Sequence, residues 1–149
     1  MKLATALQGV TRLFLDTAPV IYYVEDHPGY RPIVTAIFQR IDAGAITAVT
    51  SPMTLAESLV LPYRAGSTEL QRKFFDFVGY GRSTVFAAID QDCARQAAQF
   101  RVRYNLGLLD ALQIAVALTT GCEALLTNDA GLRRVTDLRV LLLDDLEPD

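Results

Sequence analysis

Five short apolar segments, each followed by a longer stretch with helical character, constrain the fold of this 149-residue chain more than any other feature. Arg12–Leu15, 46–50, 84–89, Ala124–Thr127 and 140–143 read as strands: each is a brief apolar run bounded by turn or cap residues. Between them, helices are expected over 20–24, 32–43, 67–78, 90–104 and 109–120, with a short one over 130–135. A further helix opens at the cap-and-first-turn pair Ser51-Pro52 and runs through Val60. Gly44 and Gly121 stop two of these helices. Strands alternating with helices call for an α/β fold, a mainly parallel sheet of about five strands covered on both faces. No repeat or linker divides the chain, so residues 1–149 read as one domain, with a short extension over 1–11.

An apolar content of 51% with 21% charged residues supports a buried core and argues against disorder. No apolar run reaches the ~18 residues of a membrane span; the longest, over 106–118, is broken by Asp110 and Gln113. The first ten residues are too polar for a secretory leader, which points to the cytoplasm and no membrane partner. Cys93 and Cys122 lack the spacing of a metal knuckle or redox pair and read as reduced.

A net charge of −3 disfavours, at first sight, a nucleic-acid partner. Setting aside four carboxylates as metal ligands moves the remainder from −3 to +1. Four more acids, Asp144, Asp145, Glu147 and Asp149, crowd the end of the chain, where they are expected to lie away from any site. Twelve of the fourteen basic residues are arginine, a side chain suited to phosphate.

The four candidate ligands are Asp16, Glu57, Asp110 and Asp129. Asp16 directly follows the first strand, Asp129 follows the fourth, and Glu57 and Asp110 belong to helices. In parallel sheets, ligand sites form beyond the carboxyl ends of strands, so the four acids can meet at one edge. Local roles are also open to three of them: Asp16 and Asp129 as helix caps, and Asp110 as the first-turn acid of a helix. Glu57 has Met53, Thr54, Val60 and Leu61 as helical neighbours, so it is expected to be buried. No Lys or Arg nearby in sequence pairs with it, and a buried unpaired carboxylate asks for a cation. Hard oxygen donors of this kind suit Mg²⁺ or Mn²⁺.

Around these acids the chain resembles the PIN-domain ribonucleases, and most of all the VapC toxins of bacterial toxin–antitoxin pairs. The resemblance lies in Leu13-Phe14-Leu15-Asp16-Thr17, Thr54-Leu55-Ala56-Glu57, Leu108-Leu109-Asp110-Ala111-Leu112-Gln113-Ile114-Ala115 and Leu126-Thr127-Asn128-Asp129, in that order. It implies metal ligation and catalysis by Asp16, Glu57, Asp110 and Asp129, with Thr17, Thr127 and Asn128 in support. It also implies an RNA substrate, a homodimer, and a cognate antitoxin that lays a helix or strand across the site. Ala18-Pro19 departs from the family's usual residues after the Asp-Thr pair, which leaves the choice of RNA open. A non-catalytic PIN-like module that binds RNA or protein is the alternative from a different class.

Other chemistry finds little footing. His27 is the only histidine and sits in a Glu-Asp-His-Pro-Gly loop, so a Ser-His-Asp or Cys-His site has no consistent set of members. Gly79-Tyr80-Gly81 lacks the third glycine of a dinucleotide loop and reads as a turn. Phe74, Phe75, Phe77 and Tyr80 cover more than one helical face; core and partner interface both remain open for them.

Overall fold

The computed structural model describes residues 1–149. Five strands, β1 (Arg12–Leu15), β2 (Thr47–Thr50), β3 (Thr84–Phe86), β4 (Ala124–Thr127) and β5 (Arg139–Leu142), form one sheet in the order β3–β2–β1–β4–β5. Every pairing is parallel, as the alternation of strand and helix predicts. Side chains alternate between the two faces. Leu13, Leu15, Ala48, Ala124 and Leu126 enter one core, while Phe14, Val49 and Leu125 enter the other. A strand buried on both sides must be apolar at every position, which is why β4 reads Ala-Leu-Leu-Thr with all four residues buried.

Helices α1 (Leu3–Ala6), α2 (Thr17–Val24), α3 (Arg31–Asp42), α4 (Pro52–Arg64), α5 (Thr68–Tyr80), α6 (Gln91–Tyr104) and α7 (Leu108–Thr119) cover the sheet. The cap signals are in use: Ser51, Ser67 and Asp90 each accept backbone N–H bonds at the start of α4, α5 and α6. Several boundaries differ from the sequence reading. Asp16 caps α2, so that helix starts at Thr17, a turn earlier than expected. Gly79 and Tyr80 belong to the last turn of α5, and the turn expected over Gly79–Gly81 forms instead from Gly81 to Thr84, where Thr84 N donates to Gly81 O at 3.2 Å. β3 ends at Phe86; after one further bond, Ala87 N to Thr50 O at 2.8 Å, the chain leaves the sheet for the Asp90 cap.

The first residues are integral to the core. Leu3, Ala6, Leu7 and Val10 are buried, and Lys2 bridges to Glu147. Three of the four acids at the end are paired in place, as Lys2–Glu147, Arg133–Asp145 and Arg40–Asp149. Cys93 and Cys122 are both free and buried. No helix is long and apolar enough to cross a membrane.

One consequence of the strand order fixes where a ligand can sit. From β1 the chain steps outward to β2 and β3 on one side, then crosses back to place β4 on the other side of β1. Connections leaving β1 and β4 therefore diverge, opening a crevice beyond their carboxyl ends.

Candidate active site

Asp16 and Asp129 stand at that crevice because of where their strands stop. Leu15 pairs with Leu126, and Asp16 N donates to Leu126 O at 3.0 Å, so β1 and β4 end side by side. The buried Thr127 ties their acids together: its hydroxyl donates to Asp16 Oδ2 at 2.7 Å and accepts from Asp129 N at 3.0 Å. Both aspartates also serve as caps. Asp16 Oδ1 accepts from Thr17 N at 2.9 Å, and Asp129 Oδ1 accepts from Gly131 N at 2.8 Å. Each carboxylate thus has one oxygen engaged with backbone N–H, which aims the group as well as starting the next element. Gly131 leaves room for this turn, since a Cβ there would lie 3.1 Å from Asp129 Oδ1.

Glu57 joins from α4. Thr17 Oγ1 donates to its Oε1 at 2.9 Å, linking α2 and α4. The structure corrects the expectation that this carboxylate is buried: Glu57 is exposed. Its helix is turned the other way. Thr54, Ser58 and Pro62 face inward, while Val60 and Leu61 are 49% and 55% exposed. Small hydroxyl side chains pack close to the sheet and bond there, so the apolar stripe was a poor guide to the buried face.

The electrostatic burden falls on Asp110. It lies in the first turn of α7 and is half-buried. Burial pushes its carboxyl above the usual range, and the negative charges of Asp129, Asp16 and Glu57 add to the rise. Those contributions show that all four acids share one electrostatic environment. None of the chain's ion pairs involves them; the partners of Lys and Arg are Asp26, Asp92, Asp137, Asp145, Asp149, Glu69 and Glu147. Four carboxylates paired with no Lys or Arg, three of them held by hydroxyl or backbone N–H donors, form a donor set that suits Mg²⁺ or Mn²⁺. In the conformation described, however, no three acidic, His or Cys side chains enclose a common ion position.

Comparison with known proteins identifies the family. Residues 13–138 match the family model described as PIN domain. The chain belongs to the PIN domain family. Its fold is similar to that in VapBC2 from Rickettsia felis bound to a promoter DNA fragment, with 18% identity, 88% of this chain and 98% of that one covered, and a TM-score of 0.70. It is also similar to VapC20 of Mycobacterium tuberculosis, a sarcin–ricin loop cleaving toxin, with 16% identity, coverage of 85% and 98%, and a TM-score of 0.65. A toxin–antitoxin complex from Klebsiella pneumoniae gives 21% identity, coverage of 88% and 97%, and a TM-score of 0.61. At such identities the likeness is one of fold. No curated protein matches the sequence.

Within this PIN domain, Thr17 and Thr127 each donate to one of the acids, Glu57 and Asp16 respectively. Asn128 does not. Its Nδ2 donates to Tyr30 Oη at 2.9 Å, and Tyr30 donates to Asp144 Oδ1 at 2.6 Å, so the end of the chain reaches the flank of the acidic edge. Asn128 Oδ1 is buried without a partner. No local pattern in the sequence connects Tyr30 with Asn128 and Asp144, and the expectation that Asp144 lies away from the acidic edge is corrected by this link. His27 is exposed in its loop, and its Nδ1 accepts only from Gly29 N at 3.1 Å.

Proposed function

We infer that this PIN domain is a Mg²⁺- or Mn²⁺-dependent endoribonuclease and the toxin of a type II toxin–antitoxin pair, acting in the cytoplasm. The observation that carries the reading is the set of four acids near the β1–β4 crevice, with Asp110 within electrostatic reach of the other three and none paired with a cation of the protein. Support from fold likeness comes from VapC20, described as a sarcin–ricin loop cleaving toxin. Asp16, Glu57, Asp110 and Asp129 would hold the ion. When bound, it activates water for attack and stabilises charge on the phosphoryl group. The chain's own residues supply orientation. Thr127 holds Asp16 against the start of the Asp129 turn, and Thr17 holds Glu57 beside α2. Hydrolysis by water leaves 5′-phosphate and 3′-hydroxyl ends.

Partners follow from the surface. Tyr63 on α4 and Phe75 and Tyr80 on α5 are 64%, 46% and 76% exposed, whereas Phe74 is fully buried and Phe77 partly so. That division supports both readings of the aromatic cluster at once: Phe74 and Phe77 as core, Phe75 and Tyr80 as contact surface for an antitoxin or a second copy.

The experiment is cleavage of RNA by the purified protein with Mn²⁺, beside an Asp16→Asn variant and EDTA. Loss of cleavage in both controls is expected. An Asp16→Asn protein that still cut RNA with unchanged metal dependence would refute the assignment. The alternative from a different class is a PIN module that binds RNA or protein without cutting. Calorimetry separates the two: no heat of Mn²⁺ binding at millimolar concentration selects the module.

A further inference from the structure

A second polar cluster lies inside the protein beneath the acidic edge. Ser51, Thr54 and Gln113 are 0%, 0% and 2% exposed. Ser51 Oγ donates to Gln113 Oε1 at 2.6 Å, and Gln113 Nε2 donates to Thr54 Oγ1 at 3.0 Å. Thr54 Oγ1 in turn donates to Leu15 O at 3.3 Å. Ser51 Oγ also accepts from Met53 N at 3.2 Å and Thr54 N at 3.5 Å, which anchors the start of α4. Donors and acceptors run in one sense through the cluster, an arrangement in which each bond polarises the next.

The positions of these residues matter as much as their bonds. Gln113 is one helical turn after Asp110 on α7, Thr54 is one turn before Glu57 on α4, and Leu15 immediately precedes Asp16. One buried amide thus joins the three elements that carry three of the four acids. Packing alone does not call for a polar residue at this point. The other buried residues of α7 are Ala111, Ile114, Ala115, Val116 and Ala117, and an apolar side chain would fit among them. A buried hydrogen-bonded network contributes little net stability over apolar packing, but its directional bonds fix how the elements meet.

We propose that Gln113, acting through Ser51 and Thr54, is a positioning residue that sets α7, α4 and the end of β1 in the register needed for Asp110, Glu57 and Asp16 to close on one divalent cation. The proposal rests on the nuclease reading of the acidic edge. Asp129 is outside this network and is held by Thr127 instead.

The test uses Gln113→Leu and the double variant Thr54→Val/Gln113→Leu, which keeps the Ser51 cap and removes the amide together with the hydroxyl it bonds. Pairing the two changes limits the loss from leaving one partner unsatisfied, so the double variant serves where the single one folds poorly. Three quantities are measured on the full chain: Mn²⁺ affinity by calorimetry, metal-free Tm, and kcat and KM for RNA cleavage. Supports behind metal ligands typically change affinity or activity by about 10-fold or more. The expected result is Mn²⁺ binding weakened about 10-fold in both variants, kcat reduced, KM for RNA unchanged, and the Tm of the double variant near that of the parent. A purely structural role predicts the reverse: a lower Tm with the parent's Mn²⁺ affinity and kcat in the folded protein. That pattern, in a parent that binds Mn²⁺ and cuts RNA, overturns this inference alone. A parent that neither binds Mn²⁺ nor cuts RNA overturns the nuclease reading and this inference with it.

Discussion

Helices α4 and α7 each bring one acid to the same edge, yet they bury opposite kinds of surface. α7 turns Ala111, Ile114, Ala115, Val116 and Ala117 inward, with Gln113 the one polar residue among them. α4 buries Thr54, Ser58 and Pro62 and leaves Val60 and Leu61 in solvent. The acids inherit these surroundings. Glu57 sits on the exposed side with a hydroxyl partner, whereas Asp110 is half-buried at the start of an apolar helix. An N-terminal turn favours a negative charge, but burial and three neighbouring carboxylates outweigh that and raise the Asp110 pKa. Two acids of equal formal charge can therefore cost the metal-free fold very different amounts.

The sharpest way to break this comparison is to neutralise each acid in turn. Both Asp110→Asn and Glu57→Gln are expected to lower RNA cleavage by about 100-fold or more, as for other lost electrostatic contacts in active sites. Their metal-free stabilities should diverge. Asp110→Asn removes a penalised charge and raises Tm at neutral pH, while Glu57→Gln leaves Tm nearly unchanged. A fall in Tm for Asp110→Asn would show that its charge stabilises the fold. The pH dependence fixes the sign. A carboxyl with a raised folded pKa destabilises the protein when ionised, so the Tm gain of Asp110→Asn is full above the folded pKa. It shrinks as pH falls through that value and disappears below the ordinary aspartate pKa of about 3.9. Glu123, held low by Thr11 and Arg12 N–H bonds despite some burial, works in the opposite direction in both proteins and cancels in the difference.

Next in size is the response to a cation. At about 100 times its dissociation constant, an ion specific to the folded state adds ~2.7 kcal/mol. For a chain of this length that corresponds to a Tm rise of about 5–10 °C. Thermal scans with and without Mn²⁺ should show the rise in the parent and little of it in Asp110→Asn. An equal rise in both would place the ion elsewhere.

The hydroxyls that support the acids extend the contrast between buried and exposed. Thr127→Val strips the bond to Asp16 and leaves Asp129 N without its acceptor, at a completely buried position. A loss of about 10-fold in Mn²⁺ affinity is expected, with about 1–3 kcal/mol of stability. Thr17→Val removes only the bond to exposed Glu57 and should change affinity by a few-fold at most. Equal effects would mean that burial does not set the strength of these supports.

How much of this was legible follows from what each residue's signal depends on. The strands were clear because parallel strands buried on both faces must be apolar runs, and Asp16 and Asp129 were placed by the ends of β1 and β4. Short patterns resembling the family's, around Thr54–Glu57 and Leu108–Ala115, point to the remaining acids, but their environments do not follow from them. Burial of Glu57 was misjudged because hydropathy assigns Val60 and Leu61 to the interior, whereas the space beside β1 admits hydroxyls that bond to Leu15 O and Gln113. Gln113 was visible only as a polar interruption of an apolar helix. Its meaning depends on Ser51 and Thr54, some sixty residues earlier in the chain.

The smallest expected effect tests the outward Val60–Leu61 face of α4 directly. With Leu55 and Leu59 packed on the core and Leu61 in solvent, Leu61→Gln exchanges one exposed side chain for another, and stability should change by no more than about 0.5 kcal/mol. The matching change on α7, Ile114→Gln, places an amide in a fully buried apolar site and should cost several times as much. Denaturant unfolding of the isolated protein measures both. A large loss for Leu61→Gln would mean that this face is covered in the folded protein, and Glu57, on the same helix, would regain the buried surroundings that its sequence neighbours suggest.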